Sequence, residues 1–158
     1  MRNISLTNES FDMLKGSSSF LNLVLNNITS CVLLLNQKME LQAFNDATKT
    51  IFSNKQDEHL LYKRCGEAIG CAYHIEEAKN CGETSRCCSC ELRIAAIKSY
   101  LEDCDVYKDF VERPFYKRSG EKVMKQLQFS TRVFRDHKEK YIIMIVDDIS
   151  NISLPRYN

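Results

Sequence analysis

Six of the eight cysteines in this 158-residue chain fall between Cys65 and Cys90, and that clustering constrains the fold more than any other feature. The segment carries weak signals for regular structure. Its closure therefore rests on its thiols, through an iron–sulfur cluster, a structural zinc, or a thiol/disulfide arrangement without metal. The compartment bears on the choice, because an oxidising one would pair the cysteines as disulfides. Export normally needs an N-terminal basic patch, an apolar run and a small-residue cleavage site, and residues 1–19 offer none of these. The N-x-[ST] sequons at Asn3, Asn8, Asn27 and Asn151 would be glycosylation sites in a secreted protein, but in an Asn- and Ser-rich sequence they are read as chance. No uninterrupted apolar run of about 18 residues occurs, which argues against a membrane span. The expectation is a reducing cytoplasm, where clustered cysteines bind metal or do redox work.

Around that segment the chain reads as one domain, at roughly 150 residues per domain. Residues 11–28 read as helix, with Leu21, Val24, Leu25 and Ile28 at the helical spacing. Cys31–Leu35 is a short apolar run, Asn36-Gln37-Lys38 a turn, and Met39–Phe44 alternates with period two, which together predict a hairpin. Asn45 stands where a helix cap belongs, before Ala47, Ile51 and Phe52 on a short amphipathic helix. Beyond the cysteines, Cys90, Ile94, Ile97 and Leu101 form a stripe predicted to enter the core from a second helix. Three strands follow. Tyr107–Tyr116 contains Pro114, which favours an edge or a strand end; Val123–Phe134 sets Leu127, Phe129, Thr131 and Val133 on one face; Tyr141–Val146 is continuously apolar, hence buried on both faces or covered on one by the N-terminal helix.

The order is helix, two strands, short helix, insertion, helix, three strands. With the stretch Phe20–Ile28 leading into Cys31–Leu35, the Phe44-Asn45-Asp46-Ala47 helix start and the closing Val146-Asp147-Asp148-Ile149-Ser150, the sequence resembles the PAS domain family over residues 20–150. The resemblance implies an α+β fold: a five-stranded antiparallel sheet with helices on one face, here with an N-terminal helix and a cysteine-rich insertion at 65–90. Residues 1–19 would be an extension and 151–158 a tail. It also implies sensing rather than turnover. Within the insertion, Gly66-Glu67 before Cys71, then Cys81-Gly82 before Cys87 and Cys90, looks like a cysteine-rich PAS subgroup. Mapped position by position, the shared cysteines are Cys71, Cys81, Cys87 and Cys90. Cys65 and Cys88 read as extras, Cys88 as an alternate ligand, and Cys31 and Cys104 lie outside the motif. A histidine that follows the first cysteine in that subgroup is displaced here to His74.

A metal reading has independent physical support. Thiolates suit zinc or iron–sulfur centres, whereas carboxylates suit magnesium or calcium. Cys87-x2-Cys90 is a short bite, Gly82 permits a tight backbone, and Cys90 at a helix start is favoured as a thiolate. Lys79, Arg86 and Arg93 could offset the negative charge. The bland readings are a buried hydrophobe for Cys31, a free thiol for Cys104, a surface or hydrogen-bonded residue for His74, and capping for Asp147-Asp148. With 44% hydrophobic residues, 27% charged and a net charge of +1, nothing points to nucleic acid. No P-loop, nucleophile elbow or H-E-x-x-H motif occurs. The expected function is a non-enzymatic sensor whose Cys71, Cys81, Cys87 and Cys90 hold an iron–sulfur cluster. It would report redox state or oxygen to a partner protein and dimerise through its N-terminal helix. The alternative is a zinc-stabilised binding module that senses nothing redox.

Overall fold

The computed structural model describes residues 18–52 and 60–151; residues 11–17 of the expected first helix, the end of the expected short helix near Asn54, and the tail from 152 lie outside them. Alternating apolar residues place five strands in one antiparallel sheet: β1 (Cys31–Leu35), β2 (Leu41–Phe44), β3 (Val106–Tyr116), β4 (Lys122–Asp136) and β5 (Glu139–Asp148), in the order β2-β1-β5-β4-β3. The register sets Leu33 opposite Met144, Cys31 opposite Val146, and Phe129 opposite Val146 from the other side. One face is therefore a continuous apolar layer of Cys31, Leu33, Leu35, Ile142, Met144, Val146, Leu127 and Phe129, all buried. β3 is the edge strand expected from Pro114.

Helices cover that layer, except the first, which borders the other face. Those described are α1 (Ser18–Asn26), α2 (Ala47–Ile51), α3 (Cys65–Ile69), α4 (Ala72–Glu77) and α5 (Glu91–Glu102). The last packs on β3, β4 and β5, while α2 packs on β1 and α4 on β3. Where α5 meets the sheet, Ser99 Oγ and Thr131 Oγ1 lie 2.6 Å apart, and Thr131 Oγ1 also donates to the Ala95 carbonyl at 3.2 Å.

Three expectations need correction. The buried face of α5 is Leu92, Ala95, Ala96 and Ser99, whereas Ile94 is 48% and Leu101 72% exposed. The small residues let the helix lie close on the sheet, and that close approach outweighs the larger apolar stripe. Asn45 does not cap α2, a position taken by Asp46. Its side chain is buried instead, accepting from the Val32 N–H at 2.8 Å and donating to the carbonyls of Leu25 and Ser30 at 2.9 Å each, which ties the end of α1 to β1. Of the two readings of β5, burial on both faces does not hold, whereas the N-terminal helix does lie on its far side. That side leaves Ile145 36% exposed, and α1 borders there a groove lined by Leu21, Leu25, Val32, Leu34, Phe134 and Ile143.

Candidate functional site

The cysteine-rich segment holds more regular structure than its sequence suggests. Two short helices and a 3₁₀ turn at Cys87–Ser89 fold it against the hairpin on one side and the β3 edge on the other. The Cys65 N–H donates to the Met39 carbonyl at 2.9 Å, and Glu40 bridges Arg64, so the start of α3 is pinned to β2. α3 ends at Gly70, in the left-handed region at φ 78°. Cys71 then pairs with Phe115 as an isolated bridge, and the Tyr116 N–H donates to the Gly70 carbonyl at 3.0 Å. Glu67 ties the next loop back by accepting from the N–H groups of Arg64 at 3.2 Å and Cys81 at 3.4 Å. Arg64 Nη1 donates to the Cys81 carbonyl at 2.7 Å.

These ties bring five thiols to one cavity. Cys65, Cys71, Cys81, Cys87 and Cys90 line it together with Gly66, Ile69, Arg93, Arg113 and Phe115. All four sequence-predicted ligands are there, and so is Cys65, read from sequence as an extra. Cys88 is not among the lining residues; it is exposed, its thiol aimed at the Ser85 carbonyl. Cys31 is buried within the sheet layer 3.2 Å from Thr48 Oγ1, and Cys104 lies two residues past the end of α5, its thiol 3.9 Å from the Lys98 carbonyl. His74 lines the cavity, but its Nδ1 donates to the Lys79 carbonyl at 2.6 Å. Among the described residues no three His, Cys, Asp or Glu side chains are already drawn together as a metal-binding group; the cavity gathers the thiols without focusing them on one point.

The backbone approaches the sulfurs closely. A Cβ on Gly66 would stand 3.0 Å from Cys81 Sγ, and the Gly66 N–H donates to that sulfur at 3.3 Å. Only glycine allows this approach without displacing the thiol. Cys87 Sγ accepts from the Gly82 N–H at 3.1 Å and lies 2.9 Å from Thr84 Oγ1. Gly82 has φ +98°, and the Arg93 guanidinium covers its Cα side, 2.8 Å from where a Cβ would stand.

The thiols are not equivalent. Burial pushes Cys65 well above the ordinary thiol range, with neighbouring Cys81 and Cys90 adding to it. Burial likewise lifts Cys81 to about 11 against the Gly66 hydrogen bond, and raises Cys90 despite the positive charge of Arg113. At Cys87 burial also acts upward, but the hydrogen bonds from Thr84 and Gly82 and the charge of Arg93 outweigh it, so this thiol falls below its usual value. Of the three cations expected to offset the negative charge, Arg93 does so; Arg86 stacks over the Tyr73 ring at 5.8 Å. The strongest cation at the site is one that motif reasoning passed over. Arg113 on β3 is only 8% exposed, its Nη2 lies 3.9 Å from Cys71 Sγ, and its guanidinium covers the Tyr73 ring at 5.4 Å. Burial works against its charge, but negative charge on Cys90 and Cys71 outweighs this and raises its value. Its sequence signal was there: Val111, Arg113 and Phe115 alternate on one face, so a charged residue stands at an inward position of a strand.

The architecture has close counterparts. The PAS domain of the nitrogen regulation protein NR(II) from Vibrio parahaemolyticus superposes with a TM-score of 0.54 at 11% identity, over 81% of this chain and 96% of that one. The PAS domain of an HTR-like protein from Haloarcula marismortui gives 0.56 at 14% identity, over 90% and 99%. That of BvgS from Bordetella pertussis gives 0.52 at 16%, over 83% and 85%. This chain has the PAS fold. No family model matches its sequence, and no curated protein does. The five-stranded sheet with its covering helices is thus as the resemblance implied. Among the described residues no helix is long and apolar enough to cross a membrane.

Proposed function

We propose that this PAS-fold chain is a non-enzymatic sensory module that holds an iron–sulfur cluster through Cys71, Cys81, Cys87 and Cys90 and reports redox state or oxygen to a partner protein. One observation carries the reading: thiols from four points of a single segment line one cavity at the N-terminal end of α5. The donor set fits such a group, since thiolate sulfurs prefer soft centres and the buried guanidinium of Arg113 favours negative charge beside it. Bound there, a cluster would supply a centre sensitive to oxidation. The response belongs to the chain's own residues. Cys90 immediately precedes α5, and Cys71 is fixed to the β3 edge. Thiolates held together couple the start of α5 to that edge, and thiolates released leave α5 held further along, by Leu92, Ala95, Ala96, Ser99 and Tyr100. A changed position of α5 is the signal a partner would read.

Dimerisation through α1 belongs to the same proposal. Leu21, Leu23, Val24 and Ile28 in and just after α1, with Phe134 and Ile145 on the sheet, are exposed apolar residues suited to a second copy. Cytoplasmic residence fits eight unpaired thiols.

Anaerobic purification tests the reading. The expected protein is brown, with broad visible absorption and iron and sulfide in the preparation, and it bleaches in air. A colourless protein with one bound zinc per chain would overturn the redox reading in favour of a zinc-stabilised module.

A further inference from the structure

Arg113 presents an unusual charge balance. Its guanidinium is buried on the inward face of β3, and the ion pairs of the described residues do not include it. A buried cation without an anionic partner costs several kcal/mol. Around it stand the Tyr73 ring, the Cys71 thiol at 3.9 Å and, in the wall of the same cavity, Cys90. Neutral thiols compensate a guanidinium poorly; thiolates compensate it well.

We infer that Arg113 is the charge-setting residue of the thiol cavity: its guanidinium stabilises a net-negative, thiolate-held metal centre and tunes that centre's affinity and reduction potential. This rests on the reading that the cavity holds a metal, and it applies to zinc and iron–sulfur centres alike, because four thiolates outweigh the charge of either. Arg113 acts through Cys71 and Cys90 and is a positioning residue. The Tyr73 ring packs against the guanidinium without fixing its position or adding charge, and Arg86 lies over the same ring.

The test compares full-length wild type with Arg113→Gln, Arg113→Lys and Tyr73→Leu, each checked for folding by circular dichroism. Affinity is measured with Co²⁺ alone against a competing chelator, and the midpoint potential after anaerobic reconstitution with iron and sulfide. Arg113→Gln should weaken Co²⁺ binding roughly ten- to a hundredfold, the usual effect of losing a residue behind the ligands, and shift the midpoint to a more negative value. Arg113→Lys, which keeps the charge but not the planar fork, should recover most of the affinity. Tyr73→Leu should stay within a few-fold of wild type.

Arg113→Gln binding like wild type overturns the inference, as does Arg113→Lys or Tyr73→Leu losing as much as Arg113→Gln, since either would make the role one of packing. Should Arg113→Gln fail to fold, Arg113→Lys decides alone: binding within a few-fold of wild type supports the inference, and a loss of roughly tenfold or more overturns it. Wild type that takes up neither Co²⁺ nor a cluster sinks the metal reading itself, and this inference with it.

Discussion

Among the described residues, two of the attachments that hold α5 to the rest of the molecule differ in kind. Midway along it, Ser99 and Thr131 are both fully buried, and their hydroxyls satisfy each other and the Ala95 carbonyl. Those groups are neutral and close on themselves, so they hold the helix to β4 under any redox condition. At its N-terminal end, Cys90 shares a cavity with four other thiols and a buried guanidinium. Under the proposed function, that contact depends on the protonation and ligation of sulfur. The same helix thus has one fixed and one conditional attachment, which is what a reporter element needs: a fulcrum that does not respond and an end that does.

Three measurements would break or sharpen that contrast. The largest effect is expected at the conditional end. Cys81→Ser should abolish metal uptake and speed tryptic cleavage at Arg86 roughly tenfold or more, because ligand binding to the folded form otherwise suppresses opening of the segment. Unchanged digestion would count against any metal there.

At the fixed end, Thr131→Val leaves the Ser99 hydroxyl without its 2.6 Å partner. It should cost about 1–2 kcal/mol in urea denaturation, equally with and without metal. A cost that depends on metal would mean that the two attachments are coupled.

The smallest effect serves as a reference remote from both. Asp148 is partly buried, which works against its charge, yet the bonds from Lys125 at 2.8 Å and from Ser150 outweigh this and hold its carboxyl below the usual value. A depressed native value means that the stabilisation is present above the unfolded carboxyl's pKa of about 4 and is lost as pH falls through the native one. Asp148→Asn should therefore cost about 1 kcal/mol near neutral pH, and the difference from wild type should disappear in acid. A difference that persists in acid would show that packing, not charge, is lost.

Much of the sheet was legible because period-two alternation is a strong signal wherever one face is buried, as with Leu127, Phe129 and Thr131. α5 was located but misoriented. Its apolar stripe points outward at Ile94 and Leu101, and a close helix–sheet contact selects Ala and Ser, which a search for large apolar residues overlooks. At the site, motif spacing picked out Cys71, Cys81, Cys87 and Cys90 but set Cys65 aside, since five residues separate it from Cys71 and only the short turn of α3 folds it back. The pattern that could have found it is local: Cys65, Ala68 and Ile69 stand at the helical spacing of three and four, and all three are buried. Arg113 was missed because it belongs to no motif, although its inward register was readable.

The bridge between Cys71 and Phe115, with the Gly70 carbonyl accepting from Tyr116, has a consequence for solubility. β3 is the outermost strand on its side of the sheet, and an outermost strand offers unpaired backbone groups to any extended chain it meets. The cysteine segment occupies that border at Phe115 and Tyr116, while the irregular pairing between Lys108 and Val111 interrupts it further back. Loosening the segment would bare the stretch beside Phe115, so, if the thiols crosslink it as proposed, a chain that lost that crosslink would gain a place for another copy to add a strand. Concentration-dependent association after metal stripping would then come from the border of the sheet, while its apolar core stays shut.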